Sequence, residues 1–149
     1  MAIEPLQQDY KAVFDQFILG MVPDMRTPAR DFSRTVQDAA GIAFGSPVGQ
    51  GTEDRQCRPM ATGFATKYLG FAVRDKTTTV EGRYKQYQEV RIRNEGPLVV
   101  SPSVAVAAGD LAYIVPATGA ITNVEAGNTR VGQFEMSGAA GSLVVVNLR

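Results

Sequence analysis

Short runs in which every second residue is apolar, cut repeatedly by glycine, proline and aspartate, fill residues 35–149 and constrain the fold more than any other feature. Residues 104–124, VAVAAGDLAYIVPATGAITNV, are the clearest case. Val104 and Val106 alternate with alanines, Gly109-Asp110 interrupts, and Leu111, Tyr113 and Val115 alternate again. Residues 116–119 turn the chain, and Ile121 and Val124 begin a third run. Period-two alternation bounded by turn residues predicts short antiparallel strands with one wet face. The same reading holds for residues 69–74, with Leu69, Phe71 and Val73 on one face, and for 89–93, with Val90 and Ile92 inward. Residues 94–96 read as a turn before a further strand, PLVVS. In residues 129–136, Val131 and Phe134 fall out of register, so a bulge is expected near Gly132. The nearly unbroken apolar run LVVVNL at 143–148 suits a central strand covered on both faces. Ile42, Phe44 and Val48 are spaced by Gly41, Gly45 and Gly49, which predicts bulges or close backbone approach. Residues 52–67 and 75–88 read as polar excursions, the second as a projecting hairpin. About eight or nine short strands at this spacing describe a mainly β sandwich or small barrel.

Residues 1–22 have another period. Leu6, Tyr10, Val13, Phe14, Phe17, Ile18 and Met21 recur at helical spacing, with Pro5 near the start and Gly20 and Pro23 near the end. This predicts an amphipathic helix whose aromatic stripe must be covered, either by its own sheet or by a partner. Residues 23–34, with two prolines and three arginines, read as an extended connector. The chain therefore divides into an N-terminal arm and connector over residues 1–34 and a β domain over 35–149.

Composition narrows the chemistry. There is no histidine and only one cysteine, Cys57. The commonest general base and the usual zinc ligands are thus missing, and no enzyme, metal site or cofactor is expected. Acid pairs such as Glu53/Asp54 or Asp75/Glu81, close in sequence within polar loops, read as solvated groups rather than a hydrolase site. A single cysteine forbids an internal disulfide and suits a reducing cytosol. Fifteen basic residues cancel fifteen acidic ones, so no overall field draws the chain to nucleic acid or an anionic membrane. No apolar run reaches the roughly 18 residues of a membrane span, and Glu4 stands where a signal peptide would be basic. Tyr84 and Tyr87, among Arg83, Lys85, Arg91 and Arg93, suggest a single-strand platform, but Glu81, Glu89 and Glu95 balance them. The glycines of residues 41–51 lack phosphate-loop spacing, and Lys76-Thr77 follows Asp75 with no glycines to cradle a phosphate.

A set of phrases in fixed order carries more. Gly20-x3-Asp24-x3-Pro28, Arg34, IAFGSPVGQG at 42–51, LGFAVRD at 69–75, VAAGDLAYIVPATGAI at 106–121 and a closing GSLVVVNLR together resemble the structural cement, or capsid decoration, proteins of tailed phages. The resemblance runs over residues 18–149. It implies a β-tulip or small-barrel body, a homotrimer on the outer surface of the expanded capsid, and an arm that reaches the major capsid protein across capsomer joints. Such a protein is made in the host cytoplasm and resides in the virion. On this reading Phe14, Phe17, Ile18 and Met21 anchor the arm, Arg26 and Arg30 steer it, and Tyr84 and Tyr87 lie at the trimer contact. The alternative is a virion-surface β-sandwich that binds host glycan, with Tyr84 and Tyr87 as its platform.

Overall fold

One strand of 12 residues, β7 (Glu89–Val100), ties the molecule together. In the computed structural model, described over residues 17–62, 67–76 and 82–149, it runs through two packed layers. Its N-terminal half lies between β1 (Arg30–Val36) and β5 (Tyr68–Ala72). Its C-terminal half pairs with β11 (Val144–Leu148). At about 3.3 Å per residue such a strand spans about 40 Å, enough to serve both layers.

The first layer is a barrel. β1 pairs in parallel with β4 (Gln56–Pro59), β4 with β3 (Pro47–Gln50), β3 with β5 and β5 with β7. The antiparallel β1–β7 pairing then closes the ring of five strands. Closure removes the exposed edges that an open sheet of these strands would present. Val36, Val48, Cys57, Ala72, Val90 and Ile92, one or two from each strand, form its core with Phe44. A two-strand flap, β2 (Ile42–Ala43) with β6 (Arg83–Tyr84), adds Ile42 and Tyr84.

The second layer continues the sheet as β7–β11–β10–β8–β9, with β8 Leu111–Ile114, β9 Ile121–Thr122 and β10 Thr129–Phe134. Leu98, Val100, Ala112, Ile114, Val131, Phe134, Val144 and Val146 are among its buried residues, with Phe71 and Met60 packed in from the barrel. β7 serves both cores: Val90 and Ile92 lie in the barrel core, and Leu98 and Val100 in the second.

Several expectations change in detail. Residues 89–100 form one strand, not two separated by a turn; Gly96 takes φ +110 within it, and Arg93 donates to the Pro97 carbonyl across the bend. The polar stretch before Pro59 contains β4, whose backbone pairing on both sides outweighs its polar sequence. The register between β3 and β5 shifts opposite Leu69, so Leu69 packs on the barrel core while Phe71 and Val73 join the second core. Residues 104–106 contribute only an isolated bridge, Val106 to Gly138. The expected bulge appears between Arg130 and Gly132, and LVVVNL holds a central strand. Eleven strands are present among the described residues, β2, β6 and β9 being two residues each.

Candidate interaction site

The N-terminal segment enters the fold at a turn. Met21 donates its amide to the Ile18 carbonyl, and Gly20 at the third position has φ +78, as a turn with a left-handed third residue requires. Gly20 then donates to the Val99 carbonyl at 2.9 Å, Val99 donates to Met21, and Arg74 donates to Gly20 at 2.8 Å. Residues 20–21 thus fill a gap in the sheet between β7 and the chain leaving β5. Leu19 packs against Gly45, and Val22 rests on the second core. Residues 17–22 are therefore a strand-like root, not the last turns of a helix. Gly20's backbone bonds go to the sheet instead of to residues four earlier. The rest of the expected helix, including Phe14, lies outside the described residues.

Beyond the root, residues 24–29 are exposed. Arg26 bridges two acids: Nε donates to Asp24 Oδ1 at 2.7 Å, Nη2 to Glu135 Oε2 at 2.9 Å, and Nη1 to Glu135 Oε1. Hydrogen bonding to Asp24, then to Glu135, drives the guanidinium pKa well above its usual range. The pair with Arg26 holds the Asp24 carboxyl below its usual range. Between them Met25 stands fully in water.

The structure separates the residues that the sequence groups as anchors. Ile18 is 45% exposed, whereas Phe17 and Met21 are half-buried. Arg26 is engaged within its own chain. Arg30 is the first residue of β1 and donates from Nε to Asn94 Oδ1 at 3.1 Å, so β1 begins inside the expected connector.

The two tyrosines part company. Tyr84 is 1% exposed, its ring edge-on to Phe44 at 5.2 Å and its hydroxyl donating to the Val73 carbonyl. It belongs to the core and offers nothing to a trimer contact or a glycan platform. Its pairing to Ile42 in the β2–β6 flap, invisible in a polar stretch, is what draws it in. Tyr87 is 73% exposed.

Chemistry elsewhere is sparse. A shallow apolar groove runs between residues 43–47 and 119–121, lined by Ala43, Ser46, Pro47, Gly119 and Ala120, without a carboxylate. Glu53 and Asp54 are exposed in the turn between β3 and β4. No group of three or more His, Cys, Asp or Glu among the described residues is placed to hold a metal. Met25 is an exposed apolar residue that the sequence did not single out, and Leu111 and Val124, apolar beats of the predicted strands, are exposed as well.

These features describe a strand-built body with a rooted N-terminal segment, the class of small β-barrel proteins with a sheet continued beyond the barrel. The family model for structural cement proteins (E217 gp24/Pam3 gp6) matches residues 6–149, and the chain belongs to that family. Among solved structures, it is similar to a chain in the capsid of Myoviridae phage XM1, with a TM-score of 0.69, 19% identity, and coverage of 91% of this chain and 94% of that one. At that identity the likeness is one of fold. A chain in the head fiber gp8.5 N base of bacteriophage phi29 is more distant, at a TM-score of 0.48 and 9% identity, covering 81% of this chain and 94% of that one. No curated protein sequence matches this one.

Proposed function

We propose that this protein is a capsid decoration protein that binds the outer surface of an expanded phage capsid as a homotrimer and stabilises the joints between capsomers. Membership of the structural cement family over residues 6–149 carries the reading. Its partners are the major capsid protein and further copies of itself, and its place is the virion surface.

The root gives the proposal a mechanism. Leu19–Val22 are fixed to the body, and Phe14, Phe17 and the exposed Ile18, which precede them, are the anchors in this reading. Met21 acts as part of the root, and Arg26 and Arg30 fix the connector that follows. A single segment with a few apolar anchors binds weakly, because ordering it opposes the contacts it makes. Three segments on one rigid trimer raise the effective concentration to the millimolar range and lengthen residence by orders of magnitude. Binding only the expanded lattice shifts stability toward that lattice by mass action.

The test adds purified protein to undecorated expanded capsids and measures co-sedimentation and rupture temperature. The full chain is expected to bind and raise the rupture temperature. Deleting residues 1–18, which keeps the pairing of Gly20 and Met21 with Val99 and Arg74, is expected to abolish most binding. Equal binding by the deletion would show that the segment serves its own domain alone, and no binding by the full chain would overturn the function.

A further inference from the structure

Tyr87 is the one non-glycine residue among the described ones with a left-handed backbone, at φ +67. Elsewhere the described chain uses glycine for that conformation. A bulky side chain there is a true outlier, and such strain concentrates where a protein meets something else. The conformation is imposed by its surroundings. Tyr87 donates its amide to the Val36 carbonyl at 2.9 Å, and Gln86 Nε2 donates to the Gln37 carbonyl at 2.9 Å. Lys85 donates its amide to Gln88 Oε1 at 2.6 Å, closing the turn.

The ring returns nothing to the fold. It is 73% exposed and belongs to neither core cluster. Glycine or asparagine would take the same turn without this strain.

We infer that Tyr87 is an anchor through which copies of this chain associate, presented by a turn that makes the isolated subunit less stable than it could be. This rests on the homotrimer proposed above. The chain's charges cancel at fifteen of each sign, so copies do not repel at a distance. Lys85 and Glu89 bring both signs close to the ring in sequence, and aromatic anchors ringed by mixed polar groups are typical of protein interfaces. Tyr84, which would pair with it on a glycan or nucleic-acid platform, is in the core.

The test is sedimentation velocity on the full chain, comparing wild type with Tyr87→Phe, Tyr87→Ala and Tyr87→Gly, alongside shell co-sedimentation. Wild type and Tyr87→Phe are expected to associate at micromolar concentration. Tyr87→Ala is expected to weaken association about tenfold or more, the loss typical of an aromatic anchor. Of the two dissociated variants, Tyr87→Gly is expected to melt about 2–4 °C above Tyr87→Ala, because only glycine relieves the left-handed backbone. The inference fails if wild type is a monomer, if Tyr87→Ala associates like wild type, or if the glycine variant is no more stable than the alanine one. A monomer that still binds shells would defeat this inference and leave the capsid reading standing. Association through Tyr87 without shell binding would do the reverse.

Discussion

Gly20 and Gly45 lie backbone against backbone. A Cβ on Gly20 would stand 2.9 Å from the Gly45 amide nitrogen, and a Cβ on Gly45 would stand 2.9 Å from that of Gly20. Both residues are left-handed, at φ +78 and +70. This contact joins the N-terminal root to the turn between β2 and β3, so the position from which the preceding residues depart is set by two missing side chains.

Gly20→Ala and Gly45→Ala are each expected to cost about 2 kcal/mol or more, from unfavourable φ and backbone crowding together. The double variant should cost clearly less than the sum, since either change alone opens the same contact. Urea unfolding of the four proteins checks this. Additive losses, or a neutral Gly20→Ala, would mean that the root is not held there.

Tyr84→Phe should lower stability by about 1–2 kcal/mol, because the buried Val73 carbonyl loses its donor. Burial foremost pushes this phenol up to about 12, so it should ionise well after exposed tyrosines in an absorbance titration. The variant's solution mass should equal that of wild type, in contrast to substitutions at Tyr87. A change in mass would return Tyr84 to the interface.

The strand-built body was legible because alternation reports a half-buried sheet, as at Val90/Ile92 and at the bulge near Gly132. The glycines at 41 and 45 were legible as points of close approach, but Gly45's neighbour, Gly20, lies 25 residues away and no local pattern names it. β4 was hidden because its burial is decided by strands on either side and not by its own polar residues. The root at residues 17–22 was hidden for a related reason. Ile18 and Met21 fit a helical stripe, yet Val99 and Arg74 provide the hydrogen bonds that the segment's backbone takes instead. At the candidate site, spacing left open whether Ile18 is covered by its own sheet, and Arg26 pairs with Glu135, a residue 109 positions away that sequence spacing could not bring near.

Cys57 gives a probe of the barrel. It is fully buried on β4, and burial first, then the Glu89 charge, pushes its thiol up to about 12. A thiol in that state is not a nucleophile. Reaction with a thiol reagent at pH 8 is expected only when the barrel opens, at a rate that follows global unfolding across a urea series. Rapid stoichiometric labelling of the folded protein would show that β4 detaches from β1 and β3 on its own.

Asp31 and Arg93 close the barrel seam between β1 and β7. Arg93, whose side chain is 6% exposed, donates from Nε to Asp31 Oδ1 at 2.7 Å and from Nη2 to Oδ2 at 3.2 Å, and Arg91 donates to the same carboxylate. Burial raises the Asp31 pKa, but hydrogen bonds from Arg93 and then Arg91 outweigh it and hold the carboxyl below 3.8, its ordinary value. A carboxyl depressed in the folded state stabilises fully above its unfolded pKa, and that contribution is lost as pH falls through the lower folded value. Asp31→Asn strands a buried guanidinium, and the expected loss at pH 7 is about 2–3 kcal/mol, below the full value for a buried pair because Asp31 is partly open to water. Asp24 is also held low, by Arg26, but it is exposed and contributes little. The gap between wild type and Asp31→Asn in urea unfolding should therefore hold from pH 7 down to about 4 and narrow sharply below 3.8. A gap that persists unchanged at pH 2 would show that the seam depends on the shape of the pair and not on its charge.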